Sequence, residues 1–214
     1  MMREDRGLLV VVSGPSGAGK GTVCRHLLEI RPELISSVSV TTRLPRPGER
    51  EGVHYFFRTP EEYERMREAG EFLESASVYG SGYATPRRFV YDHLRAGRDV
   101  LLEIDIQGAL QVKERVEQGV FIFILPPSMK ELRDRITGRG TESEDVIIRR
   151  FAKAYEELNF VSRYNYVVVN DIARDAARRI EAILIAEHCR VDRNRELNRK
   201  LLEEVFPHDV STYQ

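Results

Sequence analysis

At 214 residues, with 42% hydrophobic and 31% charged residues, the chain can bury one large core and has the make-up of an ordinary water-soluble domain. Its 33 Lys and Arg against 34 Asp and Glu leave a formal charge of −1, so nothing in the balance asks for a nucleic acid or a membrane surface as partner. No apolar run approaches the roughly 18 residues of a spanning helix, the opening Met1-Met2-Arg3-Glu4-Asp5-Arg6 has no signal-peptide pattern, and two cysteines make no disulfide framework, so a cytoplasmic protein is expected.

The first element is the apolar run Leu8–Val12, which reads as a buried strand. It leads into Gly14-Pro15-Ser16-Gly17-Ala18-Gly19-Lys20 and then a helix expected from about Lys20 to Ile30, stopped before Pro32. Strand, glycine-rich turn and helix in this order, with the spacing G-x-x-x-x-G-K, form a phosphate cradle: backbone N–H groups converge on the anion, and the helix dipole and the lysine add positive charge. Gly21 stands where this pattern places Ser or Thr, and Thr22 follows it. A water-held Mg²⁺ is therefore expected, without direct hydroxyl ligation.

Next come Ser36–Thr42, His54–Arg58 and Phe72–Val78, which read as a small, more antiparallel region joined by the polar turn Arg43–Gly52. Thr59-Pro60-Glu61-Glu62 supplies a cap, a first-turn proline and a capping-box acid for a helix, and Thr85-Pro86 and Ser128-x-x-Glu131 are expected to open two more in the same manner. Val100–Ile104, Val120–Leu125 and Tyr166–Val169 read as further buried strands. Short β-rich runs alternating with helical periods predict an α/β fold with a parallel-sheet core. A second insertion is expected from Arg135 to about Val161, with Gly138-Arg139-Gly140 as a flexible joint. Ala173 to about Arg190 carries Ala176, Ile180, Ile183 and Leu184 on one face and should pack on the sheet. The tail 191–214 reads as a surface helix, with a subunit contact as the alternative.

Three clusters carry chemistry. Asp99–Asp105 is an apolar strand ending in carboxylates, where alternation puts Glu103 and Asp105 on one face, one for a metal and the other for a substrate. Arg135 and Arg139 share a face if the helix from Ser128 continues that far, and Arg150 falls at the edge of the stripe Ile147, Phe151, Ala154, Leu158 and Val161, either ion-paired or clamping phosphate. Ser39-Val40-Thr41-Thr42-Arg43-x-x-Arg46-x-x-Glu49, with Tyr55 beyond, suits a second phosphate. Two phosphate sites suggest transfer between them. No His-Arg-Asp loop or catalytic triad is evident, and an acceptor that is itself a phosphate needs no general base.

With these residues assembled, the chain resembles the guanylate kinase family over nearly its full length. The resemblance is carried by GPSGAGKGT at 14–22, SVSVTTRLPRPGE at 37–49, GVHYFF at 52–57, GEFLE at 70–74, EIDIQGALQV at 103–112, PPS at 126–128, GRGTES at 138–143 and VVVND at 167–171. It implies a P-loop nucleoside-monophosphate-kinase fold: a core of 1–37, 89–129 and 162–214, a GMP-binding insertion at 38–88 and a mobile helical lid at 130–161. The implied activity moves the γ-phosphoryl of ATP onto GMP with Mg²⁺, within purine metabolism.

Position by position, the resemblance implies that Gly14, Pro15, Ser16, Gly17, Ala18, Gly19, Lys20, Gly21 and Thr22 bind ATP, with Asn170 near the adenine. It places Ser39, Arg43, Arg46, Glu49, Tyr55, Glu74, Tyr83, Thr85 and Asp105 around GMP, and Glu103 near the metal, directly or through water. Lys20, Arg43, Arg135, Arg139 and Arg150 would be the catalytic cations. A carboxylate such as Glu74 accepts both guanine donors, N1–H and the amine, whereas adenine leaves it poorly paired. Gly21, and Ala84 where a glycine often follows the substrate tyrosine, depart from the pattern. The runner-up reading is a catalytically inactive, protein-binding relative. A switch GTPase lacks support because no Asn-Lys-x-Asp motif occurs. The sequence leaves GMP against dGMP, and the oligomeric state, open.

Overall fold

The computed structural model describes residues 7–78, 80–116, 118–138 and 144–203. In chain order these form β1 (Leu9–Ser13), α1 (Lys20–Ile30), β2 (Ile35–Ser36), β3 (Ser39–Thr41), β4 (Tyr55–Phe57), α2 (Pro60–Glu68), β5 (Phe72–Val78), β6 (Ser81–Pro86) and α3 (Arg87–Arg95). The chain continues with β7 (Val100–Glu103), α4 (Ile106–Arg115), β8 (Gly119–Leu125), α5 (Met129–Thr137), α6 (Glu144–Glu157), a 3₁₀ segment (Leu158–Arg163), β9 (Tyr166–Val169), α7 (Ala173–His188) and α8 (Arg195–Glu203).

The core is a five-stranded sheet in the order β2-β7-β1-β8-β9, parallel throughout. The central strands β1, β7 and β8 are apolar along nearly all their length because both their faces are covered, whereas the edge strand β9 leaves Val167 and Val169 exposed. Val10, Val12, Ile122 and Ile124 pack against Leu27 of α1 and Ile180 and Leu184 of α7. On the opposite face Leu9, Val11, Leu102 and Phe121 pack against Leu94 of α3 and Val112 of α4. The alternation of β1 thus divides its side chains between two hydrophobic layers.

A second sheet, β4-β3-β6-β5, hangs beside the carboxyl end of the core. Its pairings are mixed: β3 runs parallel to β4 and antiparallel to β6, which is antiparallel to β5. Val40, Tyr63, Phe72 and Ala84 give it a small core of its own. Helix α2 begins with the full reciprocal capping box of Thr59 and Glu62. Leu132, Ile136 and Ala154 form a fourth apolar cluster with Met129, Ile147 and Phe151, holding α5 and α6 together.

Four sequence expectations change. The run 36–42 is not one strand: Ser36 ends β2 in the core sheet, and Ser39 starts β3 in the second sheet. Thr85 does not cap a helix. It lies in β6, α3 starts behind Pro86 without a side-chain cap, and the Thr85 hydroxyl is spent elsewhere. β7 stops at Glu103, so strand alternation is not what places Asp105; that residue caps α4, its carboxylate accepting from Gly108 N–H at 2.8 Å. Finally, α7 ends at His188 and the tail's helix α8 starts only at Arg195, with Leu201 and Leu202 exposed; 204–214 lie outside the described residues. α5 ends at Thr137 with Gly138 as its cap, and Arg139 and Gly140 lie outside the described residues.

Candidate active site

The cradle follows directly from local sequence. Gly14, Gly17 and Gly19 have φ of 146°, 88° and 87°, conformations that side-chain-bearing residues rarely adopt, and together they fold Gly14–Lys20 into a loop at the end of β1. α1 then starts behind Gly19 with no side-chain cap and no acid in its first turn, so its positive dipole end is left to an incoming anion. Gly21 and Thr22 are exposed at that end.

The loop is braced from outside. The Ala18 carbonyl accepts from Asn170 Nδ2 at 2.7 Å and from Arg135 Nη1 at 3.4 Å, while Arg135 Nη2 donates to the Asn170 carbonyl at 3.1 Å. Arg135 Nε is held by Glu131 at 3.0 Å. Beneath the loop, a methyl group on Gly17 would lie 2.9 Å from Ile136 and 3.0 Å from Leu132, so α5 packs directly on the cradle. Ser16 N–H donates to Glu157 at 3.1 Å, and Arg150 donates to Ser16 Oγ at 3.2 Å. Arg150 is buried, on the inner side of the α6 stripe.

Lys20 folds back on the cradle, donating to the carbonyls of Gly14 at 2.6 Å and Pro15 at 3.2 Å. Burial pulls its ammonium below the usual range, while the carboxylates of Glu103, Glu157 and Asp105 oppose the shift. Glu103 ends β7 beside the start of α1; a methyl group on Gly21 would stand 3.2 Å from its Oε1. Its carboxyl is accessible from solvent yet sits in a cleft whose walls push its pKa up, against the pull of Lys20 and Arg25.

The second sheet carries a buried acid. Glu74, 3% exposed, accepts from the Thr85 hydroxyl at 2.6 Å. Burial raises its pKa to about 7; the Thr85 hydrogen bond works against this and repulsion from Asp105 adds to it. A β-bulge aims this acid. Between Phe72 and Glu74 the β5–β6 register shifts, from Phe72 opposite Pro86 to Glu74 opposite Thr85. Without the extra residue Glu74 would share the face of Phe72, inside the apolar cluster. Gly108 of α4 lies against the carboxylate: a methyl group there would collide with Oε2 and lie 3.0 Å from Cδ.

Just after β3, Arg43 is locked to Glu49 by two bonds of 2.9 and 3.0 Å, and its Nε donates to Tyr83 OH at 3.2 Å. Its guanidinium also lies 5.4 Å from the Tyr55 ring centroid, and the Tyr55 and Tyr83 rings meet edge to face at 5.9 Å. Arg43 and the Arg46 backbone N–H together hold Glu49 down at about pKa 2. Glu49 thus directs its charge at Arg43, and Arg46 is exposed at the loop tip. Tyr83 and Thr85 project to one side of β6 by alternation, and Ser39 lies in β3 opposite Tyr55.

The chain therefore holds a phosphate cradle and an arginine–tyrosine cluster with a buried acid behind it, and Glu103 and Asp105 stand at the carboxyl end of β7 between the two sheets. Two contributors escape sequence reading: Glu157, which takes a cradle N–H, and Gly108, which leaves room for Glu74. The seven-residue step from Arg150 to Glu157, two turns of one helix face, was the available signal for the first.

Comparison with known proteins gives a consistent result. Residues 6–187 match the family model described as guanylate kinase. A guanylate kinase from Caldanaerobacter subterraneus subsp. tengcongensis is 60% identical over 204 residues, covering 95% of this chain and 99% of the relative. One from Clostridium perfringens is 56% identical over 194 residues, covering 91% and 90%. The crystal structure of guanylate kinase from Anaplasma phagocytophilum superposes with a TM-score of 0.79 at 40% identity, covering 95% of this chain and 97% of that one.

Proposed function

The chain belongs to the guanylate kinase family, and from that premise we propose that the cradle and the facing pocket are its ATP and GMP sites. The protein is an ATP:GMP phosphotransferase that moves the γ-phosphoryl group of ATP to GMP, giving ADP and GDP. The observation that carries the site assignment is the buried Glu74–Thr85 pair, joined to the cradle through Asp105, whose charge acts on both Glu74 and Lys20.

In this reading Gly14–Thr22 and Lys20 bind the ATP phosphates, with Asn170 bracing the loop from the nucleotide side. Arg43, Arg46, Tyr55 and Tyr83 take the GMP phosphate. Ser39, Thr85 and Asp105 line the guanine, and Glu74 receives its N1–H and amine. Glu49 serves indirectly, by fixing Arg43. Lys20, Arg43, Arg135, Arg139 and Arg150 supply positive charge around the transferring group, and positioning with charge neutralisation carries the chemistry. The acceptor oxygen is already anionic, so no side chain has to remove a proton from it.

Guanylate kinases require a divalent metal, and Mg²⁺ is the ion proposed. Among the described residues no group of three or more His, Cys, Asp or Glu could hold a metal alone. A single accessible carboxylate, Glu103, beside the opening of α1 suits an ion that arrives on the triphosphate and keeps its waters. Bound there, Mg²⁺ would neutralise charge on the β- and γ-phosphates.

We also place the enzyme in the cytoplasm, in purine nucleotide interconversion and GMP recycling. No described helix is long and apolar enough to cross a membrane, and both thiols, Cys24 and Cys189, are free. The test is steady-state turnover with ATP and Mg²⁺ against GMP, dGMP, AMP, IMP and pyrimidine monophosphates. GDP formation with strong preference for the guanine acceptors is the expected result. Folded protein that binds GMP without forming GDP would return the chain to the inactive, protein-binding reading.

A further inference from the structure

Ser16 is held at both of its polar ends by one helix. Its hydroxyl accepts from Arg150 at 3.2 Å and its backbone N–H donates to Glu157 at 3.1 Å. The two α6 residues are seven apart, two helical turns, and so present one face to the cradle. They are not equivalent anchors. A serine hydroxyl rotates, and an arginine reaches it through a long, flexible arm. The Ser16 amide is fixed by the loop backbone, and a carboxylate on it makes a stiffer, charge-assisted tie. The Glu157 side chain is only 16% exposed, with the Lys153 ammonium 3.9 Å away. Burial lifts its carboxyl pKa, and the Ser16 N–H bond pulls it back down.

We propose that Glu157 is a positioning residue for phosphoryl transfer: by accepting from Ser16 N–H it docks α6 on the phosphate cradle and so fixes where the Arg150 guanidinium meets the nucleotide. This rests on the reading of Arg150 as a cation facing the transferring group. Glu157 itself touches the loop and need not touch substrate.

The experiment is a double-mutant cycle in kcat, with MgATP and GMP saturating, of Glu157→Ala, Arg150→Ala and the pair. Circular dichroism and thermal melts check that each variant is folded. Because misplacing a catalytic group by about 1 Å can cost 10²-fold, Glu157→Ala should lower kcat by about 10- to 100-fold while leaving KM for GMP unchanged. Glu157→Gln keeps an acceptor oxygen for Ser16 N–H and should retain most of the activity. In the Arg150→Ala background, Glu157→Ala should cost little more, since the group it positions is gone. Should Glu157→Ala not fold, Glu157→Met keeps the volume without the acceptor and is read in the same way. Effects that multiply fully in the cycle, or wild-type kcat in a folded Glu157→Ala protein, overturn the proposal. If Arg150→Ala alone keeps wild-type kcat, it is the Arg150 assignment that has failed. A slow Arg150→Ala beside a fast Glu157→Ala removes only the role of Glu157.

Discussion

Replacing Glu74 by Gln should stabilise the ligand-free protein while impairing it as an enzyme, and pH should control the first effect. Glu74 is 3% exposed, and burial lifts its pKa from the ordinary 4.5 to about 7. At 1.36 kcal/mol per unit, that difference amounts to about 3 kcal/mol by which an ionised Glu74 weakens the fold. The sign follows from proton counts. Between pH 4.5 and 7 the native state binds more protons than the unfolded chain, so stability falls as pH rises through that window and levels off above it. The amide of Gln cannot ionise, and its oxygen still accepts from the Thr85 hydroxyl. With about 2–4 °C per kcal/mol for a domain of this size, the melting temperature at pH 8.5 should rise by roughly 6–12 °C, and near pH 4.5 by little. Binding moves the other way. A guanine donor facing an amide N–H is left unpaired in a buried site, costing about 1–3 kcal/mol, or roughly 5- to 150-fold in kcat/KM for GMP. Melting curves at the two pH values, with kcat/KM for GMP and AMP, provide the assay. A melting difference independent of pH would refute the buried-charge argument, and an unchanged GMP-over-AMP ratio would refute the guanine-reading role.

Lys20→Ala and Arg150→Ala should each lower kcat by up to about 10³–10⁵, the range for a phosphate-stabilising cation; near-normal single-turnover rates would remove the residue from the site. Gly108→Ala drives a methyl group into Glu74 and should raise KM for GMP about tenfold or more, with KM for ATP unchanged, as measured by initial rates. Chelating the divalent metal should stop turnover yet leave GMP binding intact by calorimetry, because the groups proposed to hold GMP include no metal.

Sequence reading recovered what is local. The cradle is seven consecutive residues between a strand and a helix, and β1, α1 and the capped start of α2 all formed where their residue patterns placed them. Readings failed where tertiary pairing overrode local pattern. Thr85-Pro86 has the look of a helix start, but its hydroxyl gains more from the buried Glu74 than from a cap. Ser36 and Ser39 belong to different sheets because Ile35 and Ser36 pair with β7, a strand 65 residues further along. β6 (Ser81–Pro86) went unread, since its residues alternate Tyr and Thr with Gly and Ala and lack an apolar run. The bulge that turns Glu74 into the pocket leaves no trace in composition, being visible only in the register against β6. Position by position the guanylate kinase resemblance nonetheless named Glu74, Thr85 and Asp105, which the fold brings to one side of the cleft.

The bare start of α1 has a consequence beyond catalysis. A helix opening on Gly19 gives up only about a few tenths of a kcal/mol relative to a Ser, Thr or Asp cap, yet leaves its first-turn N–H groups with no side-chain acceptor. An anion bound at the cradle would supply the missing acceptor, so in the proposed reading the nucleotide also completes this end of the helix. At a hundred times its dissociation constant, such a ligand adds about 2.7 kcal/mol of stability. Resistance to heat and proteolysis should therefore rise with the concentration of any nucleotide that binds the cradle.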